Sequence, residues 1–239
     1  RFLFASVMED EETLELALSI IMGEEVHLRQ PNQVEKEFRT MPWLRSVRLD
    51  VYNVDDKDRL YDAEVQERNT GNLAKRSRFY QALIDSTLLP PGRGVSFNQL
   101  PASYLIMIMP FDLWGCGKYR YTFKTQCEEV PGLYLEDGVT RIFLNTRGTD
   151  DGEVSPELTE LLHYIEDSSD ETAQRCKSGR IQKLHQRVCV EKFGSVCGGE
   201  IFLHKRIPLF FPQPIADGHR EAFLRPVGPF VRQRFVGRV

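Results

Sequence analysis

Two strand-like runs, VRLDVY (Val47 to Tyr52) and LYDAEVQ (Leu60 to Gln66), flank the polar stretch Asp55-Asp56-Lys57-Asp58-Arg59, and this pattern restricts the fold more than any other. β-Branched, aromatic and aliphatic residues on both sides of a short polar loop predict an antiparallel hairpin. Closing the loop pairs Val54 with Leu60, which sets Tyr52 against Asp62, Asp50 against Glu64 and Arg48 against Gln66 on one face. Leu49, Val51, Ala63 and Val65 are expected on the other face. Directly opposed side chains have Cβ atoms roughly 4.5 to 5.5 Å apart, where two like charges destabilise a pair. A hard divalent cation reverses that sign, because carboxylates, backbone carbonyls and water are the oxygen ligands Mg²⁺ prefers. The alternative is a solvated hairpin face on which the acids tolerate each other, or another loop register that separates them.

A chain of 239 residues with 41% hydrophobic composition can bury a core, enough for one sizeable domain and an appendage. The longest apolar run, YLIMIM (Tyr104 to Met109), falls far short of the roughly 20 residues of a bilayer span and reads as a buried strand. No membrane partner is therefore expected. No basic stretch followed by an apolar one opens the chain, so no secretory signal is expected, although a start at Arg1 leaves room for a missing upstream piece. Five cysteines (Cys116, Cys127, Cys176, Cys189, Cys197) form no C-x-x-C pair, which argues against a disulfide framework or zinc ribbon and makes a reducing cytoplasm the default. None has an identifiable base beside it, so a thiol nucleophile is not expected. His163 and His185 lie on different predicted helices without a ligand partner at i+3 or i+4, and both are assigned solvent or packing roles. A net charge of −4 argues against a passive polyanion binder, so any contact with nucleic acid must be local.

Along the chain, residues 8 to 22 place acids before an apolar series and predict a helix. Residues 23 to 43 show no clean period. Asn72 can cap a helix through LAKRSRFYQALIDSTLL, stopped by Pro90-Pro91-Gly92. Strands are expected over Ser103 to Phe111 and Tyr119 to Thr125, and a hairpin over LYLEDGVTRIFLNT with its turn at Asp137-Gly138. Pro91-Gly92-Arg93-Gly94 lacks the context of a phosphate loop and reads as a plain loop. Ser155 caps a helix with Leu158, Leu161, Leu162 and Ile165 inward, and a further helix is expected over Glu171 to Val190. Strands lying between helices predict an α/β or α+β fold on a mixed sheet. Residues 191–239 carry eight basic and four acidic side chains, against 23 and 31 before them, and five of the thirteen prolines. That tail reads either as a loosely ordered or packed-down extension or as the product of a shifted reading frame.

The series F-x-x-V-M-x-D-E-E-T, V-R-L-D-V-Y, Y-D-A-E-V-Q, K-R-S-R-F-Y-Q, I-F-L-N-T and S-P-E-L-x-E-L-L-x-Y-I, from about Phe4 to about Val190, resembles the bacterial PD-(D/E)XK nuclease-family transposases, also called recombination-promoting nucleases. Each motif is short, and their order and spacing carry the likeness. The resemblance implies an α/β, restriction-endonuclease-like core: a central mixed sheet flanked by helices, over residues 1–152. A helical extension over 153–190 and the irregular tail 191–239 would follow. It further implies that Asp50 and Glu64, with the Val65 carbonyl, bind Mg²⁺ or Mn²⁺, and that Glu12 on the first helix reaches the metal waters. Gln66 stands where the wider superfamily has lysine; its amide can orient water but supplies no charge. Lys75 or Arg76 would then supply the cation, and Arg76 and Tyr80 match the family's R-x-x-x-Y spacing. The implied function is Mg²⁺-dependent DNA endonuclease action in transposition or recombination, with Lys75, Arg76, Arg78 and Tyr80 on the DNA and a homodimer where both strands are cut. Two other readings stay open: a mobile-element relic that binds DNA or a protein without cutting, and a plain interaction domain.

Overall fold

The structure, a computed structural model, describes residues 2–29, 33–38, 47–89 and 94–193. The reading of the tail beyond residue 193 lies outside the described residues. Two helices open the chain, α1 (Phe2–Met8) and α2 (Glu11–Met22), where one over 8 to 22 was expected. The break is chemical. Asp10 is extended and its Oδ1 accepts from Thr13 N at 2.9 Å and from Thr13 Oγ1 at 2.6 Å, so it begins a new helix rather than continuing the old one.

Six strands follow: β1 (Gln33–Phe38), β2 (Val47–Val54), β3 (Leu60–Val65), β4 (Ser103–Met109), β5 (Arg120–Phe123) and β6 (Val139–Asn145). They form one sheet in the order β1-β2-β3-β4-β6-β5. β1, β2 and β3 run antiparallel, β3, β4 and β6 parallel, and β5 antiparallel to β6. The mixed sheet with flanking helices is therefore the α/β architecture expected. β1 lies in the stretch without period; QVEKEF gains its strand from pairing with β2 and sits at the sheet edge, where charged residues are common.

The parallel step from β3 to β4 is made through α3 (Leu73–Leu88), as parallel neighbours require a crossover. Asn72 occupies the N-cap position but makes no cap bond; its Oδ1 instead accepts from Thr70 Oγ1 at 2.7 Å. Ahead of the Asp137-Gly138 turn the expected hairpin arm is reduced to one bridge, Gln126 to Tyr134, and β6 takes β5 as its partner. Gly138 does adopt the left-handed φ of 78° that the turn needs.

α4 (Pro156–Glu166) begins at Ser155, whose Oγ accepts from Leu158 N at 3.2 Å. The helix expected over 171 to 190 is two, α5 (Asp170–Arg175) and α6 (Gly179–Phe193). Glu160 of α4 explains the break, because its Oε2 accepts from Lys177 N at 2.9 Å and Ser178 N at 3.0 Å and so satisfies backbone groups outside a helical ladder.

Side chains alternate across the sheet and build two layers. On one face Val51, Tyr61, Ala63, Val65, Ile106, Ile108, Ile142 and Leu144 form the main core with α1, α2, α4 and α6. The other face lies under α3 and holds two separate apolar groups, one around Leu49, Tyr52, Leu60, Leu83 and Ile84, the other around Leu73, Leu105, Met107, Met109 and Phe143. Tyr80 of α3 packs against both groups.

Candidate metal centre beneath the third helix

The β2–β3 pairing runs from Val54 and Leu60 through Tyr52 and Asp62 to Val51 and Ala63, the register expected from the loop. At the next step the ladder gives way to a reciprocal exchange. Asp50 N donates to Glu64 Oε1 at 2.9 Å, and Val65 N donates to Asp50 Oδ2 at 3.2 Å. Each carboxylate thus holds the backbone of the opposite arm, which brings the two acids together. Beyond this end of the β2–β3 pairing one expectation is corrected: Leu49 groups with Tyr52 and Leu60 beneath α3, not with Val51, Ala63 and Val65 on the main core.

Period two puts Asp62 and Glu64 on the α3 face of β3, where Asp62 neighbours Leu105 and Glu64 neighbours Met107 across the parallel ladder. Asp50 is 1% exposed, Glu64 1% and Asp62 0%, so three carboxyl groups share a nearly dry site. Neither oxygen of Asp62 has a hydrogen-bond partner among the described residues. Burial pushes the Asp62 carboxyl well above the usual carboxylate range, and Glu64 and Asp50 push it further while Arg76 opposes them. Asp62 was placed by the register but not recognised as a site residue, because nothing in the local pattern says that α3 will cover it.

Arg76 and Tyr80 share a face of α3, four residues apart. The Arg76 guanidinium lies 5.3 Å from the Tyr80 ring centroid, and its Nη2 is 3.7 Å from Glu64 Oε2. That approach is an ion pair without hydrogen-bond contact, and Arg76 Nε is buried without a partner among the described residues. Gln66 Nε2 donates to the carbonyl of Val65 at 2.9 Å, so the amide and the carbonyl expected at the metal lie against one another. Lys75 and Arg78 are exposed on the same helix. Glu12 makes its contact elsewhere, with Lys183 of α6 at 3.1 Å. Among the described residues Arg76 is the cation placed beside these three buried carboxyl groups, and an all-oxygen donor set of this kind fits a hard divalent cation.

A family model for PD-(D/E)XK nuclease family transposases matches residues 21–186. The chain belongs to this family. The matched span contains the acidic hairpin, α3 and the whole sheet, and it excludes Glu12. In this PD-(D/E)XK protein the mixed sheet is the restriction-endonuclease-like core, and membership places the chain among nucleases. No curated protein and no solved structure gives a significant match. Among the described residues no helix is long and apolar enough to cross a membrane.

The histidines need one correction. His163 packs as expected, with its Nε2 3.0 Å from Tyr119 Oη. His185, however, does have a potential ligand at i+4, since Cys189 Sγ lies 3.5 Å from its Nε2. Cys189 correspondingly has a base beside it, the His185 imidazole one helical turn away, contrary to expectation.

Proposed function

We propose that the chain is a divalent-metal-dependent DNA endonuclease that hydrolyses phosphodiester bonds, acts in the cytoplasm and serves transposition or recombination. The observation that carries this reading is the buried trio of Asp50, Asp62 and Glu64, in which neither oxygen of Asp62 has a partner among the described residues. Asp50 and Glu64 would hold Mg²⁺ or Mn²⁺ with the Val65 carbonyl, and Asp62 lies beside both acids. When bound, such an ion polarises the scissile phosphate and lowers the pKa of a bound water. The Gln66 amide, held against Val65, orients that water without adding charge. Arg76, the cation beside Glu64, supplies the charge that a lysine would otherwise bring. Lys75 and Arg78 meet the backbone phosphates, so binding is salt-sensitive with little sequence readout. Cutting both strands calls for a second copy of the chain. Glu12, engaged by Lys183, enters only as a helix contact.

The direct test is conversion of supercoiled plasmid to the nicked form in Mg²⁺ or Mn²⁺ against the same reaction in EDTA. Metal-dependent nicking is expected. DNA binding with no cleavage in either ion would leave the relic reading in its place.

Asp62 adds a separate expectation. A raised folded pKa contributes stability that is complete below the ordinary carboxylate value and is lost as pH rises through the raised value. The contribution of Asp62 to the stability of the metal-free protein should therefore fade on going from acid toward neutral pH. Asp62→Asn, which cannot ionise, should flatten that loss and raise the metal-free Tm at pH 7.5 by about 2–4 °C, corresponding to roughly 1 kcal/mol. The same variant should bind Mg²⁺ more weakly. Calorimetric unfolding with and without Mg²⁺ reads both effects, and a lower metal-free Tm would mean that Asp62 is a stabilising partner instead.

A further inference from the structure

A second convergence of ligand atoms lies on the other side of the molecule, where α4, α5 and α6 meet. His185 and Cys189 share one face of α6, and Asp170 is the first residue of α5. His185 Nε2 lies 3.2 Å from Asp170 Oδ1 and 3.5 Å from Cys189 Sγ, and the three ligand atoms fall within 4.8 Å of one another. Nitrogen or oxygen ligands about 2.0 Å and a sulfur about 2.3 Å from a tetrahedral zinc ion stand about 3.3 to 3.6 Å apart. The two edges at His185 already have those lengths.

The back of the ring is fixed as well. Tyr164 Oη sits 3.0 Å from His185 Nδ1, the position an outer-shell partner takes behind a metal-bound imidazole. Nε2 alone then faces a carboxylate and a thiol. With a proton it can serve only one of them, and without one it meets the carboxylate lone pair to lone pair. A cation satisfies all three at once. Burial lowers the His185 pKa, which favours the neutral ring that ligates. Burial and Asp170 raise the Cys189 thiol, while Lys192, held by Ser168 O at 2.9 Å and Oγ at 3.0 Å, works toward the thiolate.

We propose that Asp170, His185 and Cys189 form a binding site for a borderline-soft divalent cation of the Zn²⁺ class, with solvent in the fourth position, that clamps α5 onto α6. The mixed nitrogen, sulfur and oxygen donors set it apart from the all-oxygen pocket under α3, so the two sites select different ions. The open position lies on the side of Asp170, whose side chain is 47% exposed against 16% for His185.

The test is titration of the metal-free full chain with Co²⁺, a spectroscopic stand-in for Zn²⁺. Expected are visible bands of tetrahedral Co²⁺ together with a near-ultraviolet thiolate-to-cobalt charge-transfer band, both removed by Zn²⁺. Cys189→Ser should abolish the charge-transfer band and Cys176→Ser should not. Asp170→Asn, at a half-exposed position compatible with folding, should weaken Co²⁺ binding. Tyr164→Phe should weaken it about tenfold. Circular dichroism of each metal-free variant checks that the fold is kept. A six-coordinate spectrum without the charge-transfer band, or a band that survives Cys189→Ser, would overturn the site.

Discussion

Asp50→Asn is expected to lower the rate of Mg²⁺-dependent plasmid nicking about a thousandfold while leaving the protein folded. The estimate follows from the several kcal/mol that a bound metal ion contributes to stabilising transition-state charge; losing about 4 of them corresponds to three decades in rate. Asparagine is the informative replacement because it keeps an oxygen for Val65 N, so the reciprocal exchange across the hairpin survives. Alanine would remove that acceptor and confound loss of the ion with loss of local structure. Glu64→Gln should behave alike, since Glu64 Oε1 accepts from Asp50 N in the same manner. The measurement is the initial nicking rate across a range of Mg²⁺ concentrations. A rate restored at high Mg²⁺ would point to weakened affinity, whereas wild-type rates at all concentrations would remove these acids from the reaction.

Asp55→Ala is expected to destabilise the protein by about 3 kcal/mol, a fall in Tm of roughly 6–12 °C for a chain of this size. Asp55 is fully buried at the turn end of the hairpin that carries the acids. Its Oδ1 accepts from Lys57 N at 3.0 Å and Arg59 N at 2.8 Å, and its Oδ2 from Arg59 Nε at 2.7 Å and Tyr61 Oη at 3.1 Å. Removing it leaves several donors without an acceptor in a site closed to water. The loss falls at the lower end of the range for broken buried pairs because Arg59 keeps Glu24 as a second partner. Burial alone would raise the Asp55 carboxyl, but the bonds from Arg59 and Tyr61 outweigh it and hold the carboxyl below the usual range. Its contribution is therefore complete above the ordinary carboxylate pKa and is lost as pH falls through the lowered value. The Tm gap between wild type and variant should be widest near neutral pH and should close in acid. A gap that stays constant with pH would assign the effect to packing.

The hairpin was legible because its two determinants are local. A polar loop between two β-rich runs fixes which residues face each other, and period two fixes which share a face. The same locality explains the errors. Leu49 lies just past the point where pairing to β3 stops, at Asp50, whose N–H goes to a carboxylate of the other arm, while its pairing to Lys36 of β1 continues. One helix over 171 to 190 was expected although Ser178-Gly179 lies inside it; Ser178 Oγ accepts from Arg180 N at 3.2 Å to start α6, and Glu160, a residue on α4, holds the backbone of the break. β1 carries no apolar period because an edge strand needs none, and only its partner makes it a strand.

The candidate sites divide along the same line. From the order of residues alone followed the nuclease-family likeness, the opposition of Asp50 to Glu64 and the helical face shared by Arg76 and Tyr80, all of them relations over short spans of chain. Asp62 became a candidate site residue only when α3 packed across the sheet and its carboxyl was buried, and Asp170 met His185 and Cys189 only when α5 folded back on α6. Spacing along a strand or helix is set by covalent geometry, whereas burial and charge balance are set by segments distant in the chain, and it is burial that turns an ordinary carboxylate into one that calls for a cation.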